Sequence, residues 1–272
     1  MLILYILFFI LPLFQTIGYS FTDYNGINPK KEFTGLTNYF DVFQDKWFYN
    51  SMAFTGKSVL LMILLANVLG FLLALALNTK IRSRNILRAI VFCPFVFNNV
   101  TVGFIWQFLL GRFMTDLYPL TGWKVFNIGW LSDNSLVLYS VVFVKLWQSI
   151  GYFMVIYLAG LQLLPQDPLE AAVIDGCTGI KMIRYITIPL MKPTAFVCIF
   201  LAITESLNMF PLIMSLTNGG PGHASENISL YIYNEAFKSH RMGYASALAV
   251  ILTIIMTIIA GLQMKLTRED AG

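Results

Sequence analysis

The sequence predicts an all-α integral membrane protein, and three observations carry that prediction. Of 272 residues, 57% are hydrophobic and only 12% are charged, about half the charged share of an ordinary soluble domain. Six apolar stretches, at about 1–22, 55–78, 86–110, 135–163, 190–216 and 243–264, each come near the roughly 20 residues that a bilayer-spanning helix needs. Polar, turn-rich intervals separate them. Backbone groups in lipid must find partners within their own segment, so these spans are helices rather than strands. The chain therefore reads as one membrane domain over 1–272.

The first run begins at Met1 and has neither a basic leading region nor a small-residue cleavage site, so it is read as a retained span and not a signal peptide. The interval 23–54, with Asn25-Gly26, Asn28-Pro29 and Lys30-Lys31, is read as a loop. Between the second and third spans lie Lys80, Arg82, Arg84 and Arg88 with no acid. Loops rich in Lys and Arg stay in the cytosol, which places this one inside. Lys181, Arg184 and Lys192 then fall on the same side, as do Lys265 and Arg268 of the tail, so both termini are expected to be cytosolic. The interval 217–242, containing Asn218-Gly219-Gly220-Pro221-Gly222, becomes an outer loop. Aromatics at 15% suit a chain with two lipid–water interfaces.

Several function classes are disfavoured. A net charge of +4 without a basic stripe argues against nucleic acid. Cys93, Cys177 and Cys198 form no CxxC or Cys/His pattern, and His223 and His240 form no HExxH, so neither a disulfide framework nor a metal site is indicated. Thr55-Gly56-Lys57-Ser58 resembles the end of a phosphate loop, but Ser51 stands where the first glycine is required. No nucleotide or other cofactor site is expected in this chain. Asn227-Ile228-Ser229 is a glycosylation sequon, a pattern too short to carry weight.

The segment Asp167–Pro189 is the most structured of the connections. Asp167 fits an N-cap, Pro168 the first helical position and Glu170 the third. Leu169, Ala172, Val173 and Gly176 then share one face at helical spacing, the two alanines Ala171 and Ala172 keep the helix slim, and Gly179 marks a second break. A short helix over about 168–179 fits either a docking element for another protein or an ordinary connector packed on its own bundle.

Polar residues inside the spans are costly and default to functional candidates. Lys145, Gln148 and Tyr152 share one face of the fourth span, with Trp147 adjacent; Glu205 and Asn208 share a face of the fifth, and Asn98 and Asn99 follow Pro94 in the third. Amides, carboxylates and aromatic platforms suit a carbohydrate path. The plainer reading is interhelical polar contact, including a Lys145–Glu205 pair.

Glu170-Ala171-Ala172, then Gly176, Ile186 and Ile188-Pro189, resembles the EAA signature of permease subunits of bacterial ABC importers, with Ile188 where that family usually has Leu. Phe33 to Tyr39, Gly70 to Leu77, Leu158 to Gln162 ahead of Pro165, Leu216 to Pro221 and Tyr231 to Tyr233 extend the likeness over most of the chain, toward the carbohydrate-uptake, maltose-F-like branch. The resemblance implies a permease that translocates a carbohydrate by alternating access. It implies a sister permease, two cytosolic ATPase subunits that hold the ATP and Mg, and an external solute-binding protein. Glu170, Ala171, Ala172, Asp175, Gly176 and Gly179 would form the coupling helix seated in an ATPase, and Gly219, Gly220 and Pro221 would meet the binding protein. A transporter working alone would favour internal repeats or an acidic relay, yet Glu205 is the one mid-span acid, and an intramembrane enzyme would need a catalytic cluster that the sequence lacks.

Overall fold

The computed structural model describes residues 1–28, 30–79 and 82–269; Pro29 and Lys80, used above, lie outside them. The described residues are helical, with a lone antiparallel bridge between Thr22 and Phe33. The helices in chain order are α1 (Ile3–Tyr19), α2 (Thr37–Gln44), α3 (Lys46–Leu77), α4 (Arg84–Val96), α5 (Asn99–Thr121) and α6 (Val137–Gln162). They continue with α7 (Gln166–Ile174), α8 (Ile180–Leu190), α9 (Lys192–Leu207), α10 (Phe210–Leu216), α11 (Ile228–Tyr233) and α12 (Met242–Glu269).

Three helices are long and apolar enough to cross a membrane: α3, α6 and the Met242–Gln263 part of α12. The other three expected spans are less regular. The third stretch is split into α4 and α5, bent by 93°, and α8 meets α9 at 71°. The first apolar helix, α1, is shorter. The breaks have local causes. Pro94 supplies no N–H to an α4 continuation, Phe97 and Asn98 are extended, and the Asn98 carboxamide accepts from the Val100 N–H at 2.9 Å, starting a new helix. Pro193 and Pro211 likewise occupy the first turns of α9 and α10, where a missing N–H costs least.

Beyond Ser58, α3 is apolar on almost every side, so polarity alone does not select its buried face. Ser58, Met62, Ala66, Gly70 and Ala74 recur every four residues and are buried, while Leu60, Leu64, Val68 and Leu72 recur at the same interval and are exposed. The small residues admit close approach of α6: a Cβ on Gly70 would sit 2.8 Å from that of Phe153. Gly151 of α6 plays the same part under α4, where a Cβ would lie 2.2 Å from the Val91 carbonyl oxygen.

The intervals read as loops carry more order than expected. Around the start of α3, the Asp45 carboxylate takes the hydroxyls of Tyr231 and, at 2.6 Å, Tyr244, and caps the Trp47 N–H at 2.8 Å. Asn50 donates to the His223 carbonyl, and Thr55 accepts from the Ile228 N–H. Thr55 thus lies inside a continuous helix, which removes the strand–loop–helix setting of a phosphate loop. Asn227 of the sequon is buried as the N-cap of α11, bonded to the Leu230 N–H at 3.0 Å.

Candidate functional site

The α4–α5 break and the junction of α9 with α10 meet at a cavity. Asn98 and Asn99 come from the α4–α5 break, Lys145 and Gln148 from α6, and Glu205 from the last turn of α9; with Pro211 they line a space of about 480 Å³. Lys145 is buried, 2% exposed, and its Nζ lies 2.5 Å from Glu205 Oε2 and 3.4 Å from Asn99 Oδ1. Glu205 is 25% exposed. A buried ammonium demands such a partner, because the desolvation cost is otherwise uncompensated. Gln148 Nε2 donates to the Phe97 carbonyl at 2.9 Å, which answers the carbonyl freed by the break, while its Oε1 is buried with no partner.

A second space of about 500 Å³ adjoins the first through Asn99 and Pro211; Asn208, Ser229 and the rings of Phe210, Tyr233 and Phe237 also line it. The structure therefore brings together Asn98, Asn99, Lys145, Gln148 and Glu205, with Asn208 next door. It does not bring in Trp147, which lies exposed, edge-on to Trp106 at 5.4 Å. Nor does Tyr152 line either space; it stacks on Phe95 at 4.5 Å, which does line the first. Being adjacent to Lys145 and Gln148 in sequence turns Trp147 to another side of α6. Ser229, Tyr233 and Phe237 escaped the sequence reading because they lie in the interval taken for a loop.

The segment after α6 departs from its expected capping. The N-cap is Pro165, not Asp167, and no side chain caps the helix. With Gln166 already helical, Asp167 sits in the first turn, where its charge still opposes the positive helix end. Pro168, third in the helix, needs no N–H partner. The stop is better defined. Gly176 has φ +75°, its N–H bonds the Val173 carbonyl at 3.0 Å, and the Cys177 N–H bonds that of Ala172 at 2.8 Å, a complete Schellman closure. Gly179 follows at φ +61°. The expected apolar face is only partly covered: Ala172 is buried and Leu169 half-buried, but Val173 and Gly176 are exposed. Ile174 and Ile180 are 85% and 82% exposed, and Glu170, Ala171 and Asp175 also face outward.

The glycine turn at 219–221 is tucked in rather than displayed. Gly219 is buried at φ +84°, Ser225 Oγ bonds the Gly220 carbonyl and Thr217 Oγ1, and the Gly220–Pro221 peptide is cis. The exposed tip is Asn218, Gly222 and His223, the last paired with the buried Glu226 at 2.5 Å and set against Trp47.

Residues 66–268 match the family described as the binding-protein-dependent transport system inner membrane component. The chain belongs to this family. It is 36% identical, over 96% of its length and 88% of the relative's, to a probable starch degradation products transport system permease protein of Thermoanaerobacterium thermosulfurigenes. It is 34% identical, over 98% and 92%, to a multiple sugar-binding transport system permease protein of Streptococcus mutans. A crystal structure of a bacterial ABC transporter involved in import of the acidic polysaccharide alginate shares the fold, with a TM-score of 0.83 at 21% identity, covering 98% of this chain and 92% of that one. The chain is thus a multi-pass permease subunit of an ABC importer, a family whose ATPase is a separate subunit.

Proposed function

We propose that this permease imports a carbohydrate handed over by an external solute-binding protein, by alternating access driven from partner ATPases. The observation that carries the reading is α7: a short helix, closed by a Schellman stop, whose Val173 and Ile174 side chains are uncovered and which lies within the residues matched to the family. Bare aliphatic side chains on a cytosolic connector call for a protein groove. Residues 168–179, with Glu170, Ala171, Ala172, Asp175, Gly176 and Gly179, are read as that coupling helix. A partner ATPase would hold ATP and Mg, and closure of the ATPase pair would push α7 and its counterpart in a sister permease toward one another.

The remaining features fit the same scheme. Six crossings, with the broken pairs counted as one each and α1 included, would leave both termini on one side, and the basic cluster Arg82, Arg84 and Arg88 supports reading that side as the cytosol. The cavity at the helix breaks is the stretch of the path nearest mid-membrane, as in transporters whose discontinuous helices line the site. Asn218 to His223 is the exposed outer tip for the binding protein, with Gly219 to Pro221 shaping the turn. Sugar import is supported by the names of the relatives. The test is a full complex in proteoliposomes. Glu170→Lys is expected to insert normally yet lose ATP-driven sugar uptake and co-purification with the ATPase; normal uptake would refute the coupling assignment.

A further inference from the structure

Resting on the carbohydrate reading above, we infer that the cavity selects uncharged, hydroxyl-rich cargo and rejects anionic sugars, with Glu205 as the residue that decides. Among the described residues lining the two cavities, Lys145 is the one cation and Glu205 the one anion. Their exposures are unequal. The ammonium is 2% exposed and closed off by Glu205 Oε2 at 2.5 Å and Asn99 Oδ1 at 3.4 Å, whereas the carboxylate is 25% exposed. An approaching solute therefore meets a carboxylate, not the ammonium behind it. A uronate or phosphate is repelled at close range in a medium of reduced dielectric, and finds no unpaired cation in the wall. A neutral saccharide donates O–H to the accessible carboxylate, which Lys145 pairs from behind. The other polar groups of the two walls are the amides of Asn98, Asn99, Gln148 and Asn208 and the hydroxyls of Ser229 and Tyr233. They offer hydroxyl partners of both kinds and no net charge. Lys145 is thus a positioning residue, and Glu205 the specificity-determining one.

The discriminating experiment uses the detergent-purified complex of permeases and ATPases without the binding protein, so that the external receptor does not set the outcome. Binding is read by ligand-induced thermal stabilisation against matched probes: maltotriose, cellotriose and raffinose as neutral trisaccharides, trigalacturonate and a guluronate trimer as anionic ones. The wild type is expected to prefer at least one neutral probe over both anionic ones by about tenfold or more, roughly 1.4 kcal/mol. Glu205→Gln, which keeps hydrogen bonding but removes the anion and leaves Lys145 without a countercharge, is expected to shift that ratio toward the anionic probes by a similar factor. The double variant Lys145→Gln/Glu205→Gln carries no charge and is expected to lose the discrimination without gaining anionic preference, which covers the case in which the single variant is unstable. Anionic binding equal to neutral in the wild type, or an unchanged ratio in both variants, overturns the inference while leaving sugar import intact. Failure of every saccharide to bind, together with absent sugar uptake by the reconstituted system, overturns the carbohydrate reading itself and the inference with it.

Discussion

Replacing Gly176 tests the coupling helix through backbone conformation alone. A Cβ at this position would meet nothing within 4 Å, so volume is free; the constraint is φ at +75°. An L-residue in that left-handed region costs about 1–2 kcal/mol, a factor of about 5–30 in the population of the closed helix end. Asn enters the region readily, Ala less so, and a β-branched Val is an outlier there. The expected order of coupling is therefore Gly above Asn, then Ala, then Val, with unchanged membrane insertion. The Cys177 N–H and the Ala172 carbonyl, 2.8 Å apart, are the bond that opens. The assay is the ratio of binding-protein-stimulated to basal ATP hydrolysis in proteoliposomes. A Val variant that couples like the wild type would refute the reasoning. Equal loss in Asn and Val variants would show that a side chain, and not φ, is at fault.

Four further outcomes are expected. Glu205→Leu alone should destabilise by about 3–5 kcal/mol by leaving the buried Lys145 ammonium unpaired, Lys145→Met by less because Glu205 is a quarter exposed, and the two together should recover most of the loss; a double-mutant cycle on thermal unfolding in detergent checks this. Gly151→Ala places a Cβ 2.2 Å from the Val91 carbonyl oxygen and should cost about 1–3 kcal/mol, while Gly111→Ala, open to 4 Å, should not destabilise by the same melting assay. Asn227→Ala should cost about 1 kcal/mol through the lost α11 cap, read as faster proteolysis of the 217–242 interval. Burial pushes the Asp45 carboxyl up, but hydrogen bonds from Tyr231, Tyr244 and the Trp47 backbone outweigh it and hold the group below its ordinary 3.8. A folded value below the unfolded one stabilises fully above that pH, so the junction should loosen as pH falls through 3.8 and below. Asp45→Asn should flatten that acid limb in a pH series of limited proteolysis.

The apolar stretches were legible because the cost of putting charge or unpaired backbone in lipid is large and local to each stretch. The glycine at the end of α7 was legible too, since φ > 0 is a property of one residue. The start of that helix was not: Asp167, Pro168 and Glu170 fit a cap, yet Pro165 two residues earlier had already set the entry. The interval 217–242 reads as loop by its glycines, and only burial of Asn227, Ile228 and Tyr231 against α3 and α12 makes a helix of it.

The sequence by itself determined that this chain is a helical membrane protein of the importer permease family, with a rigid element between α6 and the next crossing. Tertiary structure decided which faces are buried. On α3 the buried row from Met62 to Ala74 and the exposed row from Leu60 to Leu72 are both apolar and both spaced by four, so hydrophobicity cannot separate them; the small Ala66, Gly70 and Ala74, which permit contact with α6, do. It also decided which polar residues form a site. Lys145 and Gln148 share a face of α6, but Glu205 and Asn99 lie on two other crossings, and nothing local links the three. They meet because the chain breaks at Asn98 and Asn208, where freed backbone and a buried charge pair find their partners across the bundle rather than along the helix.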